Sequence, residues 1–312
     1  MNTRTKLATV LASLLALAAS GAPSVQAKTA IATPSAALHV QQHGDSGRPV
    51  ILVPGLGGGA WVWAGLLPHL QADHRVYVVT LPGFDGTVAP AGGNFTQQAE
   101  DALVDLIRTR HLAKPVLVGH SLGGTLSLKL ASDHPELVGG VVAVDGLPVF
   151  PGTENMTAAQ RPAMAAAMQA RMQGLTPAQF EAQQVGFMQA MGVIDPKQAE
   201  RYGKRNAASD PKAVAQYMAE DLTLDFRDAL AHASVPLLEI SPYNAPDYAS
   251  GAMAMSEQQK ADYYRSLLAK APQLKVVSIA PARHFVMFDQ PEKLEAALDD
   301  FMARLPPPTT ER

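Results

Sequence analysis

Residues 115–124 read PVLVGHSLGG and place Ser121 between Gly119 and Gly123. An apolar run that predicts a strand ends there, and SLGGTLSLKL, which predicts a helix, begins. A serine on so sharp a strand-to-helix turn is lifted clear of the sheet, and glycines flank it because a Cβ would collide with the turn. The helix N-terminus adds partial positive charge, which favours a developing alkoxide and oxyanion. This is what a nucleophile for acyl transfer requires. Glycine is common enough that such a spacing also arises by accident, so the remaining parts must be found elsewhere in the chain.

A serine hydroxyl is a weak nucleophile at neutral pH and needs a base within hydrogen-bond reach. Among the nine histidines, His120 points away from Ser121 in such a turn, and His69, His74, His111 and His134 fall near element ends, where a surface role is expected. His284 lies in SIAPARHFVMFDQPEKL, between the last predicted strand and the last predicted helix. Loops at the carboxyl edge of a parallel sheet are where sites assemble, so His284 is the candidate base. Acyl transfer also needs N–H donors aimed at the oxyanion, each worth roughly 3 kcal/mol. Leu122, next to the serine, supplies one, and Leu56 in VPGLGGGAWVW supplies a second, because Gly55 lets the chain turn inward. Gly57–Gly59 do not form a phosphate loop, since no Lys follows and no G-x-G-x-x-G frame is filled.

The acid that orients the imidazole has two main candidates. Asp145 ends GGVVAVDG, at the same sheet edge as Ser121, and Asp247 lies in SPYNAPDYAS after VPLLEIS. A carboxylate at a strand end is held more firmly than one in a loop with Pro and Tyr, which favours Asp145 and leaves Asp247, and then Asp289, as alternatives. A turn or capping role is the plain competitor for Asp145, and Asp85 in LPGFDGT reads as a turn residue.

These residues need a frame. Six short apolar runs predict strands: PVILVPG (49–55), RVYVVTLPG (75–83), PVLVG (115–119), GGVVAVDG (139–146), VPLLEIS (235–241) and LKVVSIA (274–280). None alternates polar and apolar residues, the mark of strands buried on both faces, so a mostly parallel, doubly wound α/β sheet is expected. Helical phrases such as TQQAEDALVDLIRTRHL and PEKLEAALDDFMARL fall between and after them. Residues 147–233 break the alternation with helical phrases alone, and predict an inserted helical lid between the core segments 28–146 and 234–305. Met164, Met168 and Met172 recur every four residues there. They either pack as an ordinary core stripe or line an adaptable apolar pocket.

At the N-terminus, Arg4 and Lys6 precede an apolar run from Leu7 to Ala19, and Val25 and Ala27 suit a small-residue cleavage site. Residues 1–27 therefore read as a cleavable signal peptide, with the mature protein periplasmic or secreted and without a stable membrane anchor. Residues 306–312 read as a disordered tail. The chain has no cysteine, which excludes disulfides, thiolate metal sites and a cysteine nucleophile. A net charge of −3 with no basic block argues against nucleic acid and anionic membranes, and for a small-molecule or polymer substrate; a small molecule with an apolar acyl or alkyl part is the expected partner.

Taken together, VPGLGGGAWVW, LPGFDGT, GHSLGG, DFRDAL, VPLLEIS and ARHFVMFDQPEKLEAALDDFM resemble the α/β-hydrolase superfamily, in its lidded branch of serine hydrolases, over most of residues 36–305. The resemblance implies Ser121 as nucleophile, His284 as base and the N–H groups of Leu56 and Leu122 as oxyanion hole. Most members carry the acid in a Gly-x-x-Asp turn after the VPLLEIS-type strand; here that loop reads SPYNAPDY. Some relatives place it after the preceding strand, where Asp145 stands. The expected activity is hydrolysis of a carboxylic ester or lactone through an acyl-enzyme, with no metal or organic cofactor. An amide, peptide or C–C bond hydrolase with the same residues, or a non-catalytic binding protein on this fold, are the alternatives.

Overall fold

Branched apolar residues build the frame. The computed structural model describes residues 38–251 and 254–307. Its seven strands are β1 (His39–His43), β2 (Arg48–Val53), β3 (His74–Thr80), β4 (Val116–His120), β5 (Gly140–Val144), β6 (Leu237–Pro242) and β7 (Leu274–Ile279). They form one sheet in the order β1-β3-β2-β4-β5-β6-β7, parallel except for β1, which runs antiparallel to β3. The six strands read from sequence are all present. The seventh, β1, reads HVQQH; it lies at the sheet edge with only partial burial, so it lacks the continuous apolar run that marks its neighbours.

Helices cover both faces. They are α1 (Leu67–Leu70), α2 (Phe95–Thr109), α3 (Leu122–Asp133), α4 (Arg161–Gln173), α5 (Pro177–Phe187), α6 (Pro196–Asn206), α7 (Pro211–Thr223), α8 (Glu257–Leu267), α9 (Val286–Asp289) and α10 (Pro291–Met302). Successive residues of β2 point to opposite faces. Ile51 and Val53 enter one core with Leu103, Leu126 and Tyr264, while Val50 and Leu52 enter the other with Leu70, Leu294 and Phe301.

Between β5 and β6 the chain forms α4–α7 and a π-helical turn at Met188–Gly192. Three of these helices start the same way, with a capping side chain followed by proline: Thr176-Pro177, Asp195-Pro196 and Asp210-Pro211. The cap accepts an otherwise unpaired N–H, and the proline ring is preset for the first helical position. Arg161, buried at the start of α4, donates to Asp225 Oδ2 (2.8 Å) and Thr153 Oγ1 (2.8 Å), tying the two ends of the insertion together. The methionines of α4 do not act as one stripe. Met172 joins the main core, Met164 packs with Ala165, Ala219 and Leu222, and Met168 is exposed between them. Residues 1–27 and 308–312 lie outside the described residues. Among the described residues no helix is long and apolar enough to cross a membrane.

Candidate active site

β4 delivers Ser121 into the sharp turn that opens α3. The residue has φ 52° and ψ −123°, a conformation that L-residues other than glycine adopt only when their surroundings hold them there. Two hydrogen bonds do so: Ser121 N–H donates to Val144 O, and Thr125 N–H donates to Ser121 O, both at 2.9 Å. The flanking glycines are required by contact. A Cβ on Gly119 would run into the Gly123 carbonyl, and one on Gly123 would meet the carbonyls of Val53 and Pro54.

The next strand repeats the device. His120 pairs with Val144, so the residues that follow, Ser121 and Asp145, leave neighbouring strand ends at the same level. Asp145 also has a positive φ, 55°, and its N–H donates to Ile240 O at 3.0 Å. His284 Nδ1–H donates to Asp145 Oδ2 at 2.5 Å, and the Tyr264 hydroxyl donates to Oδ1. Burial alone would raise the Asp145 pKa. The positive charges of His284 and Lys260 and the two hydrogen bonds outweigh it, and hold the carboxyl well below its usual range. Because Nδ1 is engaged, Nε2 is the nitrogen of His284 left to serve as a base, although no hydrogen bond joins it to Ser121 Oγ here. Such contacts commonly tighten only in the substrate complex.

The histidine loop is fixed from two sides. His284 N–H donates to Met191 O (3.1 Å) and Phe285 N–H to Gly192 O (2.9 Å), so the β5–β6 insertion pairs with it backbone to backbone. From beneath, the fully buried His120 donates Nε2–H to His284 O at 3.0 Å, with the two rings 4.5 Å apart. Burial, and then the charge of His284, push the His120 pKa well below the ordinary histidine value. His120 is therefore a neutral prop.

The other two carboxylates are committed elsewhere. Arg283 donates Nη2–H to Asp247 Oδ1 (2.6 Å) and Nε–H to Oδ2 (2.8 Å), and Asn244 adds a third bond to Asp247. Asp289 accepts from the N–H groups of Ile194 (3.0 Å) and Arg283 (2.8 Å). Neither meets His284, whereas Asp145 does. Asp85 sits in a positive-φ turn (44°), as read from sequence, and there it also pairs with Arg205 of α6 at 3.1 Å.

Leu56 occupies a tight turn closed by Gly58 N–H to Gly55 O at 2.9 Å, with Gly57 at φ 72°. A Cβ on Gly55 would lie 3.0 Å from Ser121 Cβ, which fixes this turn against the serine. Its carbonyls are pinned from the insertion: Asn206 Nδ2–H donates to Leu56 O (3.3 Å) and Ser209 Oγ–H to Gly57 O (2.7 Å). Leu122 is the first residue of α3, so its N–H has no helical acceptor. Asn206, Ser209, Tyr264, Lys260 and the buried Glu239 went unnoticed in the sequence, where each is one polar residue inside a helix, strand or turn. Among the described residues, no cluster of three His, Asp or Glu side chains is arranged to hold a metal ion.

This arrangement has relatives. The chain is 35% identical over 111 residues to the RutD protein of Yersinia enterocolitica, covering 35% of this chain and 40% of that relative, less than half its length. It is 28% identical over 208 residues, 65% of this chain and 78% of the other, to the pimeloyl-[acyl-carrier protein] methyl ester esterase of Vibrio cholerae. The solved structure of the enol-lactonase from Burkholderia xenovorans matches with a TM-score of 0.63 at 20% identity, over 86% of this chain and 96% of that one, which shows a common fold. Residues 50–297 match the sequence profile of the alpha/beta hydrolase family, and the chain belongs to that family.

Proposed function

We propose that this protein is an exported serine hydrolase that cleaves a carboxylic ester or lactone through an acyl-enzyme on Ser121. The observation that carries the reading is the 2.5 Å bond between His284 Nδ1 and Asp145 Oδ2 beside a serine held at φ 52° on a strand-to-helix turn. Ser121 Oγ attacks the acyl carbon while His284 Nε2 takes its proton, then returns it to the leaving alcohol; water repeats the sequence to release the acid. Asp145 holds the imidazole tautomer and stabilises the imidazolium. The N–H groups of Leu56 and Leu122 receive the oxyanion. The similarity to a methyl ester esterase supports an ester as the bond cleaved. The basic start, apolar run and small residues of 1–27 support export.

Steady-state hydrolysis of nitrophenyl esters of rising acyl length tests the reading. Wild-type turnover that falls to the uncatalysed background in Ser121→Ala is expected. Turnover of the esters that persists in Ser121→Ala would overturn it.

A further inference from the structure

Asp145 spends its two oxygens on two partners from opposite sides: Oδ2 on His284 and Oδ1 on the hydroxyl of Tyr264. Tyr264 comes from α8, the helix that also carries Lys260. The tyrosine is 5% exposed and belongs to the same core as Ile51 and Leu126, so the hydroxyl is delivered by a side chain with little freedom. The helix itself is fixed at its start by a reciprocal cap between Ser256 and Gln259.

Lys260 lies one helical turn earlier, on the same face as Tyr264. Its Nζ–H donates to Pro242 O at 2.5 Å and lies 5.1 Å and 5.2 Å from the rings of Tyr248 and Tyr264. The ammonium thus favours the charge of Asp145 without taking one of its oxygens. From β6, the buried Glu239 lies close enough to Asp145 for the two carboxyl groups to repel, with the backbone N–H groups of Asp145 and Gly146 facing it. Asp145 is therefore faced by His284, Tyr264, Lys260 and Glu239. His284 is faced by Asp145, His120 and the ring of Phe187, with the Arg283–Asp247 pair and Asp289 on its own loop.

We propose that Tyr264 is a positioning residue for the hydrolysis: its hydroxyl fixes the Asp145 carboxylate so that Oδ2 faces Nδ1 of His284, letting a strand-end aspartate serve as the orienting acid. The proposal rests on the assignment of Asp145 under Proposed function. The strand end fixes the Asp145 backbone, through its N–H bond to Ile240 O, and α8 fixes the carboxylate itself. Without the Tyr264 hydrogen bond, Asp145 stays ionised but shares its charge with one donor fewer, so it draws the His284 proton more strongly.

Tyr264→Phe keeps the ring and removes the hydroxyl. In nitrophenyl acetate hydrolysis, kcat is expected to fall about tenfold with KM within about twofold. The midpoint of the acid limb of kcat/KM should rise by about half a pH unit, and the downfield NMR signal of His284 Nδ1–H should shift. A wild-type kcat would overturn the proposal. So would a lower kcat with an unmoved acid limb and an unmoved Nδ1–H signal, because that is a packing effect. Asp145→Asn separates the two levels. If it stays fully active, the acid assignment fails and takes this proposal with it. If it is inactive while Tyr264→Phe behaves as wild type, only the role of Tyr264 fails.

Discussion

His284 Nδ1 lies 2.5 Å from Oδ2 of Asp145, a carboxylate carried on the end of β5. Asp247, in the loop after β6, is neutralised by Arg283 instead, and the hydrogen bonds from that guanidinium hold its pKa below the ordinary value. The same Arg283 donates to Gln189 O at 2.8 Å and Val193 O at 3.1 Å, so the Asp247 pair anchors the backbone that covers the histidine loop.

Asp145→Asn should lower kcat for a nitrophenyl ester by about 10³–10⁴-fold, because the amide no longer holds the required tautomer. Asp247→Asn should lower kcat/KM less than about tenfold and act through a loosened 189–193 segment. Side-by-side kinetics of the two variants decide the matter; a silent Asp145→Asn with an inactive Asp247→Asn reverses the assignment.

The Leu56 turn, proposed to receive the oxyanion, depends on the insertion. Asn206→Leu and Ser209→Ala each remove one pin from the carbonyls of Leu56 and Gly57, and should lower kcat about tenfold with little change in KM. A change confined to KM would mean that these residues bind substrate instead.

Gly123→Ala would drive a Cβ into the backbone carbonyls of Val53 and Pro54, neither of which can swing aside. Loss of activity and destabilisation by more than about 2 kcal/mol in urea unfolding are expected. Wild-type stability in this variant would contradict the packing described for the turn.

Glu239 has a folded-state pKa raised well above the ordinary value, by burial and then by the charge of Asp145. The folded chain therefore binds a proton that the unfolded chain releases, and stability falls as pH rises from the unfolded value of about 4.3 toward the folded one. Glu239→Gln removes that term, so its stability relative to wild type should grow with pH above about 5 and be least at about pH 4. Thermal melts across that range check the slope; a difference that shrinks as pH rises contradicts it.

Much of this was legible in the sequence because burial on both faces writes a strand as a continuous apolar run, and because Gly119, Ser121 and Gly123 must be close in sequence to share one turn. The edge strand β1 escaped, since HVQQH has no apolar run. The choice between Asp145 and Asp247 could only be weighed, because which carboxylate reaches His284 depends on Arg283, the immediate neighbour of the histidine, claiming the other. Tyr264, Asn206 and Ser209 were invisible for a similar reason. Their contacts with Asp145, Leu56 and Gly57 span more than a hundred residues of chain, and no local pattern announces them.

If Ser121 is the nucleophile, covalent active-site labelling must fall on it. The folded wild-type protein is treated with a fluorophosphonate, and the adduct is located by peptide mass spectrometry. One adduct per chain is expected, on Ser121, absent from Ser121→Ala and formed much more slowly in Asp145→Asn. No adduct on the folded wild type, or an adduct that persists elsewhere in Ser121→Ala, would contradict it.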